Sequence, residues 1–360
     1  VRSRNTGSHR NYINMTEEDS CRLLIDEVYE PHWQHYAADF GKTIAGFFSD
    51  EPELGNGALY GKDNFLGIEQ DLPWGKTMEQ EVAAALGEHW KEKLHLLWRD
   101  GEEAARVRTK YMDVLTKLVR SAFSQPVAAW CRAHGVQYIG HVIEDDGQHC
   151  RTGSSLGHYF RGLQYQDMSG IDDIGGQVYP QGEDEPKVNF MRQPRNGEFY
   201  HYGLATLARS AAAIEHRKQG NAMCEIFGAF GWCEGLPYMK ALADSMLIAG
   251  INHFVPHAFT PKDEDPDCPP HFYNGGRNEQ YPLFKNLMEY MGRCSHLLCG
   301  AKHKADVAVF YNAEGHWTDG KNQSFRYICR ELAQNLMDFD IIPNDILAAA
   351  AVANGRLLVN

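Results

Sequence analysis

From residue 11 to about residue 260, short apolar runs alternate with longer stretches in which apolar residues recur every three to four positions. Runs of four to eight apolar residues predict strands, and the 3.6-residue period predicts helices. The stretch "EEDSCRLLIDEVYEPHWQHYAADF" (17 to 40) has helical spacing at Leu23, Leu24, Val28 and Tyr29, with Pro31 expected to bend or interrupt it. "TIAGFFS" (43 to 49) then reads as a strand, and Ile44 to Phe48, all apolar or glycine, suit one covered on both faces. Two helical stretches follow, 77 to 98 and 101 to 134, the second closed by Gly135. Further strands are predicted at "VQYIGHVIEDD" (136 to 146), "DMSGIDDIGGQVYP" (167 to 180), "NAMCEIFGAFGW" (221 to 232) and "INHFVPHAF" (251 to 259). "YHYGLATLARSAAAIEHRKQG" and "LPYMKALADSMLIAG" are the helices that separate the later ones. Strands alternating with helices in this way predict repeated β/α units on a parallel sheet.

The polar residues within these strands all fall at one end. Asp50 and Glu51 end the first, Glu144 to Asp146 the second, Asp172 and Asp173 the third, Glu225 lies near the end of the fourth, and His257 near that of the fifth. In a parallel α/β barrel the C-terminal strand ends build the active site, so acids there are candidates for chemistry. Past residue 300 the β/α alternation resumes at "ADVAVFY", a helix near 323 to 338, "FDIIPNDIL" and "GRLLVN", now without acids at the strand tips. This predicts the start of a second, flavodoxin-like or doubly wound domain. Both ends read as cut: the opening looks mid-domain, and "GRLLVN" reads as a strand stopped before its partner.

Composition narrows the picture. The 360 residues are 43% hydrophobic and 23% charged, with a net charge of −13. Such acidity, with no basic tract, argues against nucleic acid and anionic membranes as partners, and no apolar run approaches the ~20 residues of a membrane span. Nine cysteines without a C-x-x-C pair give neither a zinc ribbon nor a disulfide framework, and fit a reducing, cytoplasmic compartment.

Taken in order, "GFFSDEPEL", "IGHVIEDD", "CEIFGAFGW" and "INHFVPHAF" resemble a group of bacterial glycosyl hydrolases similar to the family 106 α-L-rhamnosidases and, more distantly, to the family 42 β-galactosidases. The resemblance covers roughly residues 12 to 300. It implies a (β/α)8 TIM barrel over 1–300 with two opening strands missing, and a glutamine-amidotransferase-like, flavodoxin-like domain beginning over 301–360. By analogy with family 42, "GFFSDEP" would be barrel strand four, and the segments at 136, 167, 221 and 251 strands five to eight. The strand-four pair is Asp50-Glu51 where that family has Asn-Glu, which departs from the pattern of its retaining mechanism.

The implied activity is removal of a terminal sugar from an oligosaccharide or glycoside, which needs one protonated and one ionised carboxyl group. Glu51 is the expected general acid, with Asp50 beside it raising its pKa by like-charge repulsion. Glu225 is the expected nucleophile or base across the barrel mouth, and Glu144 is a rival for that role. Glu144, Asp145, Asp146 and His149 could instead hold Ca²⁺, as the rhamnosidase resemblance allows. His141, Asp145, Asp173 and His257 are candidates to hydrogen-bond sugar hydroxyls, and His253 shares a strand face with His257. Tyr179, Phe230, Trp232, Phe259 and Trp74 could stack on a pyranose, with Trp232 the leading candidate. Two other readings stay open: a non-catalytic carbohydrate-binding barrel, and a metal-dependent barrel enzyme using His141, Glu144, Asp173 and His257. A homo-oligomer is compatible with all three.

Overall fold

The computed structural model describes residues 12–54, 72–153, 155–184, 195–262, 265–318 and 323–358. It is a mixed α/β structure with small parallel sheets, and it divides into two compact units. The first comprises residues 1–167 with 312–323, and the second 168–311 with 324–360.

In the first unit, strand β1 (Gly46–Ser49) pairs in parallel with β2 (Gln137–Gly140), in a register that runs from Gly46↔Gln137 to Ser49↔Gly140. Phe47 points to one face and packs on Tyr29, with ring centroids 4.4 Å apart, and on Trp130, 5.8 Å away. Phe48 and Asp50 take the opposite face by the two-residue period of a strand.

The helices before and between these strands lie near their expected positions but differ in detail. Pro31 does not break the first one. The chain passes through a π-turn over Ile25–Tyr29 and restarts as helix Glu30–Tyr36, with Pro31 in its first turn, where a missing N–H costs no internal bond. The buried stripe there is Cys21, Ile25 and Tyr29, while Leu23 and Val28 are exposed. A second π-turn, Val119–Ser124, joins Glu102–Leu118 to Gln125–Ala133, and Gly135 follows at φ 69°. Helix Ala313–Trp317 belongs to this unit through Trp317, fully buried, whose indole N–H donates to the Cys150 carbonyl at 3.0 Å.

The second unit carries a three-stranded parallel sheet of β3 (Ser169–Asp173), β4 (Ala222–Ile226) and β5 (His253–Pro256), in that order. Its register sets Asp172 beside Glu225, and Glu225 beside Val255. Helices Ala205–Ile214, Leu236–Ile248 and Tyr281–Leu298 alternate with the strands. β6 (Val307–Tyr311) and β7 (Phe339–Pro343) form a separate parallel pair, with helix Phe325–Gln334 between them in sequence. "GRLLVN" does have a partner: β9 (Arg356–Leu358) pairs antiparallel with β8 (Ala351–Ala353). Asn354 and Gly355, at φ 53° and 72°, make the turn that matches strand twist in a two-residue hairpin.

No helix of the described residues is long and apolar enough to cross a membrane.

Candidate active site

In the first unit the chemistry begins one residue past the paired strand ends. The His141 amide donates to the Ser49 carbonyl at 3.3 Å, so the sheet pairing reaches into the loop. This close approach needs Gly140: at φ 149°, a Cβ there would lie 2.2 Å from the Ser49 oxygen. The fully buried His141 ring has Nε2 3.3 Å from Asp50 Oδ1, and Nδ1 3.0 Å from the Val142 carbonyl and 3.8 Å from Glu144 Oε2. Asp50 is exposed at the surface end of this chain of contacts. Glu51 is half-buried with φ 43°, a left-handed conformation uncommon outside glycine that concentrates at functional sites.

Glu144 is buried, and its Oε1 accepts from the Val142 amide at 3.2 Å. Burial pushes its carboxyl well above the usual range; His141 and that amide oppose the rise, while the charges of Asp145 and Glu51 add to it. Glu144 is therefore turned inward to His141. His149 packs edge-on against Tyr159, 6.5 Å away, and burial lowers its pKa. The side chain of Asp146 lies outside the described residues.

In the second unit the register places Asp172 and Glu225 side by side on one sheet face, where parallel strands run about 4.8 Å apart. Val255 and, two residues on, His257 continue that face. Gly228 lies under the His257 ring; a Cβ there would sit 3.2 Å from Nδ1, a nitrogen with no hydrogen-bond partner among the described residues. His253 is engaged by Asn252, whose Oδ1 is 2.9 Å from Nδ1, and burial lowers its pKa. Asp173, one residue past Asp172, takes the opposite face, next to Ile226. Cys268 senses the Asp172–Glu225 pair: after burial and the neighbouring Asp267, the charges of Asp172 and Glu225 help raise its thiol to about 11.

Asp173 is fully buried, and among the described residues neither carboxyl oxygen has a hydrogen-bond partner of good geometry. Burial raises its pKa to about 7, against opposition from the nearby Val178 amide and the Arg195 guanidinium. Glu234 is in the same condition: buried, without a hydrogen-bond partner at either oxygen among the described residues, and raised to about 8 by burial and then by the charge of Asp173. Sequence reasoning missed Glu234 and Arg195. Glu234 stands two residues before helix Leu236–Ile248 and reads there as an ordinary acid of a helix start. Only its burial makes it unusual.

The aromatic candidates divide. Trp232 is half exposed, 5.9 Å edge-on from the His271 ring, and Phe259 is exposed beside Phe272. Tyr179 is buried against His201, Phe230 packs on Tyr238, and Trp74 stacks on Trp90 while its carbonyl accepts from Asn14. Of these three only Tyr179 is buried; Phe230 and Trp74 keep part of their surface exposed.

Parallel β/α elements with carboxylates and histidines just past the strand ends make up a mixed α/β fold. No protein-family model and no curated protein matches the sequence. Among solved structures the chain is similar to the rhamnosidase of Novosphingobium sp. PP1Y, with a TM-score of 0.65 at 16% identity over 96% of this chain and 30% of that one. It is also similar to the cold-adapted β-galactosidase of Rahnella sp. R3 (TM-score 0.54, 12% identity, 92% of this chain and 49% of that one). A third is Gan42B, a family 42 β-galactosidase (TM-score 0.50, 11% identity, 91% and 43%). At these identities the likeness is one of fold, and the chain spans from about a third to half of each of these proteins.

Proposed function

We propose that the chain is part of a glycoside hydrolase that removes a terminal sugar from an oligosaccharide or glycoside, on a (β/α)8 barrel of which 1–300 supplies all but the opening strands, with a second α/β domain beginning over 301–360. The observation that carries the reading is the register pairing of Asp172 with Glu225 at the end of a parallel sheet, in a chain folded like rhamnosidases and β-galactosidases. Two adjacent carboxylates there can hold one as a nucleophile or base while the other takes a sugar hydroxyl. Glu225 is assigned the first role and Asp172 the second.

Glu51 is assigned the general acid. Its left-handed backbone at the end of β1 fixes the direction of its side chain independently of the strand's alternation. His141, held between Asp50 and the Val142 carbonyl, positions Asp50 toward sugar hydroxyls, and Glu144, whose carboxyl burial pushes up, supports His141. Asp145, Trp232 and His257 are assigned to substrate binding. Tyr179 and Asp173 are assigned to the wall behind it.

Hydrolysis of a panel of aryl rhamnosides, galactosides, arabinosides, glucosides and fucosides tests this. Turnover of at least one sugar is expected, with a fall of about 10²-fold or more in Glu225→Gln. Glu51→Gln should lose poor leaving groups and keep part of its activity on good ones, since only a poor leaving group needs the proton. Sugar binding without turnover of any glycoside would assign a carbohydrate-binding barrel instead.

A further inference from the structure

Strand β5 ends at Pro256, and the loop that leaves it is closed at its base by the Phe272 amide, which donates to the Ala258 carbonyl at 3.1 Å. Phe259 and Tyr273 each stand one residue from that bond, and Phe259 stands two from His257. Farther along, the same loop carries Cys268, whose thiol senses the charges of Asp172 and Glu225. The loop thus links the acid pair to a cluster of five rings. Phe272 and Phe284 are buried and stacked, with centroids 4.2 Å apart. Phe259 stands edge-on to Phe272 at 5.2 Å and to Tyr281 at 6.1 Å, and Tyr273 stands edge-on to Tyr281 at 5.2 Å. The outer members are open: Phe259 is 58% exposed and Tyr273 50%, and both meet the half-buried Tyr281. Contiguous exposed rings of this kind mark places where something docks.

We propose that the corner formed by Phe259, Tyr273 and Tyr281 receives the leaving group of the substrate, and that this leaving group carries an aromatic ring. Its place follows from the loop: a leaving group departs beside the catalytic carboxylates, and the loop that bears Phe259 also reaches Asp172 and Glu225. Its chemistry follows from the cluster, since a further ring extends an edge-to-face network on the same terms as the members already there. A leaving sugar would need partners for several hydroxyls. The two amides that share a small pocket with Tyr281 have their oxygens engaged: Gln280 Oε1 accepts from the Leu236 amide at 2.8 Å, and Asn278 Oδ1 from the Gln280 amide at 3.0 Å. An aromatic group asks for fewer partners, and the Tyr273 and Tyr281 hydroxyls suit a single phenolic or ether oxygen. The role as leaving-group site rests on the glycosidase reading; the affinity of the corner for an aromatic ring does not.

Saturation-transfer NMR with 2-naphthol alone, beside hydrolysis of benzyl and cyclohexylmethyl glycosides of one sugar, is the test. The two leaving alcohols have nearly equal acidity and differ in aromaticity. Naphthol should bind, and Phe259→Ala or Tyr273→Ala should each raise its Kd about threefold or more, the scale of one aromatic contact. Phe259→Tyr keeps the ring and should stay within about twofold. The benzyl glycoside should have the lower KM, by about threefold or more, and Phe259→Ala should abolish that difference. Because both side chains are half exposed, their substitution should leave the melting temperature unchanged, which separates lost binding from lost fold. Absence of naphthol binding, or binding that both alanine variants leave untouched, overturns the aromatic site even if glycosides are hydrolysed. Equal KM values for the two glycosides overturn its role toward the leaving group. Naphthol binding that is lost in the variants of a protein hydrolysing no glycoside upholds the aromatic site and overturns the glycosidase.

Discussion

At the scale of single residues, burial decides which acids are unusual. Asp173 and Glu234 have pKa values raised to about 7 and about 8, so the folded protein holds protons that the unfolded chain releases above pH ~4. Because the folded state binds more protons between those limits, stability falls as pH rises from about 4 to about 8, and levels off beyond. Glu234→Gln removes one of these protons from the balance. The variant's stability should therefore depend less steeply on pH than the wild type's, with the gain at pH 8 relative to pH 5 amounting to at least about 1 kcal/mol. Urea unfolding at the two pH values measures it. An identical pH dependence in both proteins would show that Glu234 is ionised and solvated.

At the scale of elements, β1 and β2 bring Asp50 and His141 together through a contact that only glycine allows. Gly140→Ala sets a Cβ 2.2 Å from the Ser49 oxygen, at a backbone angle that L side chains rarely adopt. The two strand ends must part, which should cost about 2 kcal/mol or more. The substitution should also lower turnover with little change in the pH profile, because Asp50 and His141 are displaced and not removed. Denaturant melts with parallel rate measurements check both effects.

How far these elements were legible follows from the same physics. The strand ends could be read because a charge at the tip of an apolar run has few structural excuses, and all five runs lie beside or within strands of the structure. The helix face at 18 to 36 could not be read. Its π-turn over Ile25–Tyr29 shifts the buried stripe onto Cys21, Ile25 and Tyr29, and a steady 3.6-residue period does not show such a turn. The Asn354-Gly355 turn was visible as a residue pair, but at the end of a chain read as truncated its hairpin went unread. Which side of the sheet Asp173 takes required the register, and the burial of Glu234 required the tertiary structure.

At the scale of the molecule, the chain returns to a compact unit that it left far upstream. After strand β6 it re-enters the first unit over residues 312–323, where Trp317 is fully buried. Arg108, also buried, donates from Nε to the Thr318 carbonyl at 3.0 Å, tying helix Glu102–Leu118 to this returning segment. The first unit is thus completed only when more than three hundred residues have been joined, so contacts of high sequence separation close its core. Trp317→Ala should cost about 3–5 kcal/mol, the usual range for emptying a large aromatic from a packed core. It should cost more than Trp232→Ala, which empties no core. A chain ended at Tyr311 removes Trp317 and the Thr318 carbonyl together, leaving the Arg108 guanidinium buried and short of an acceptor. Circular dichroism melts of the three proteins should rank Trp232→Ala close to wild type, Trp317→Ala well below it, and the shortened chain without a cooperative transition in residues 12 to 167. A cooperative transition of wild-type size in the shortened chain would mean that the first unit is complete before the chain returns.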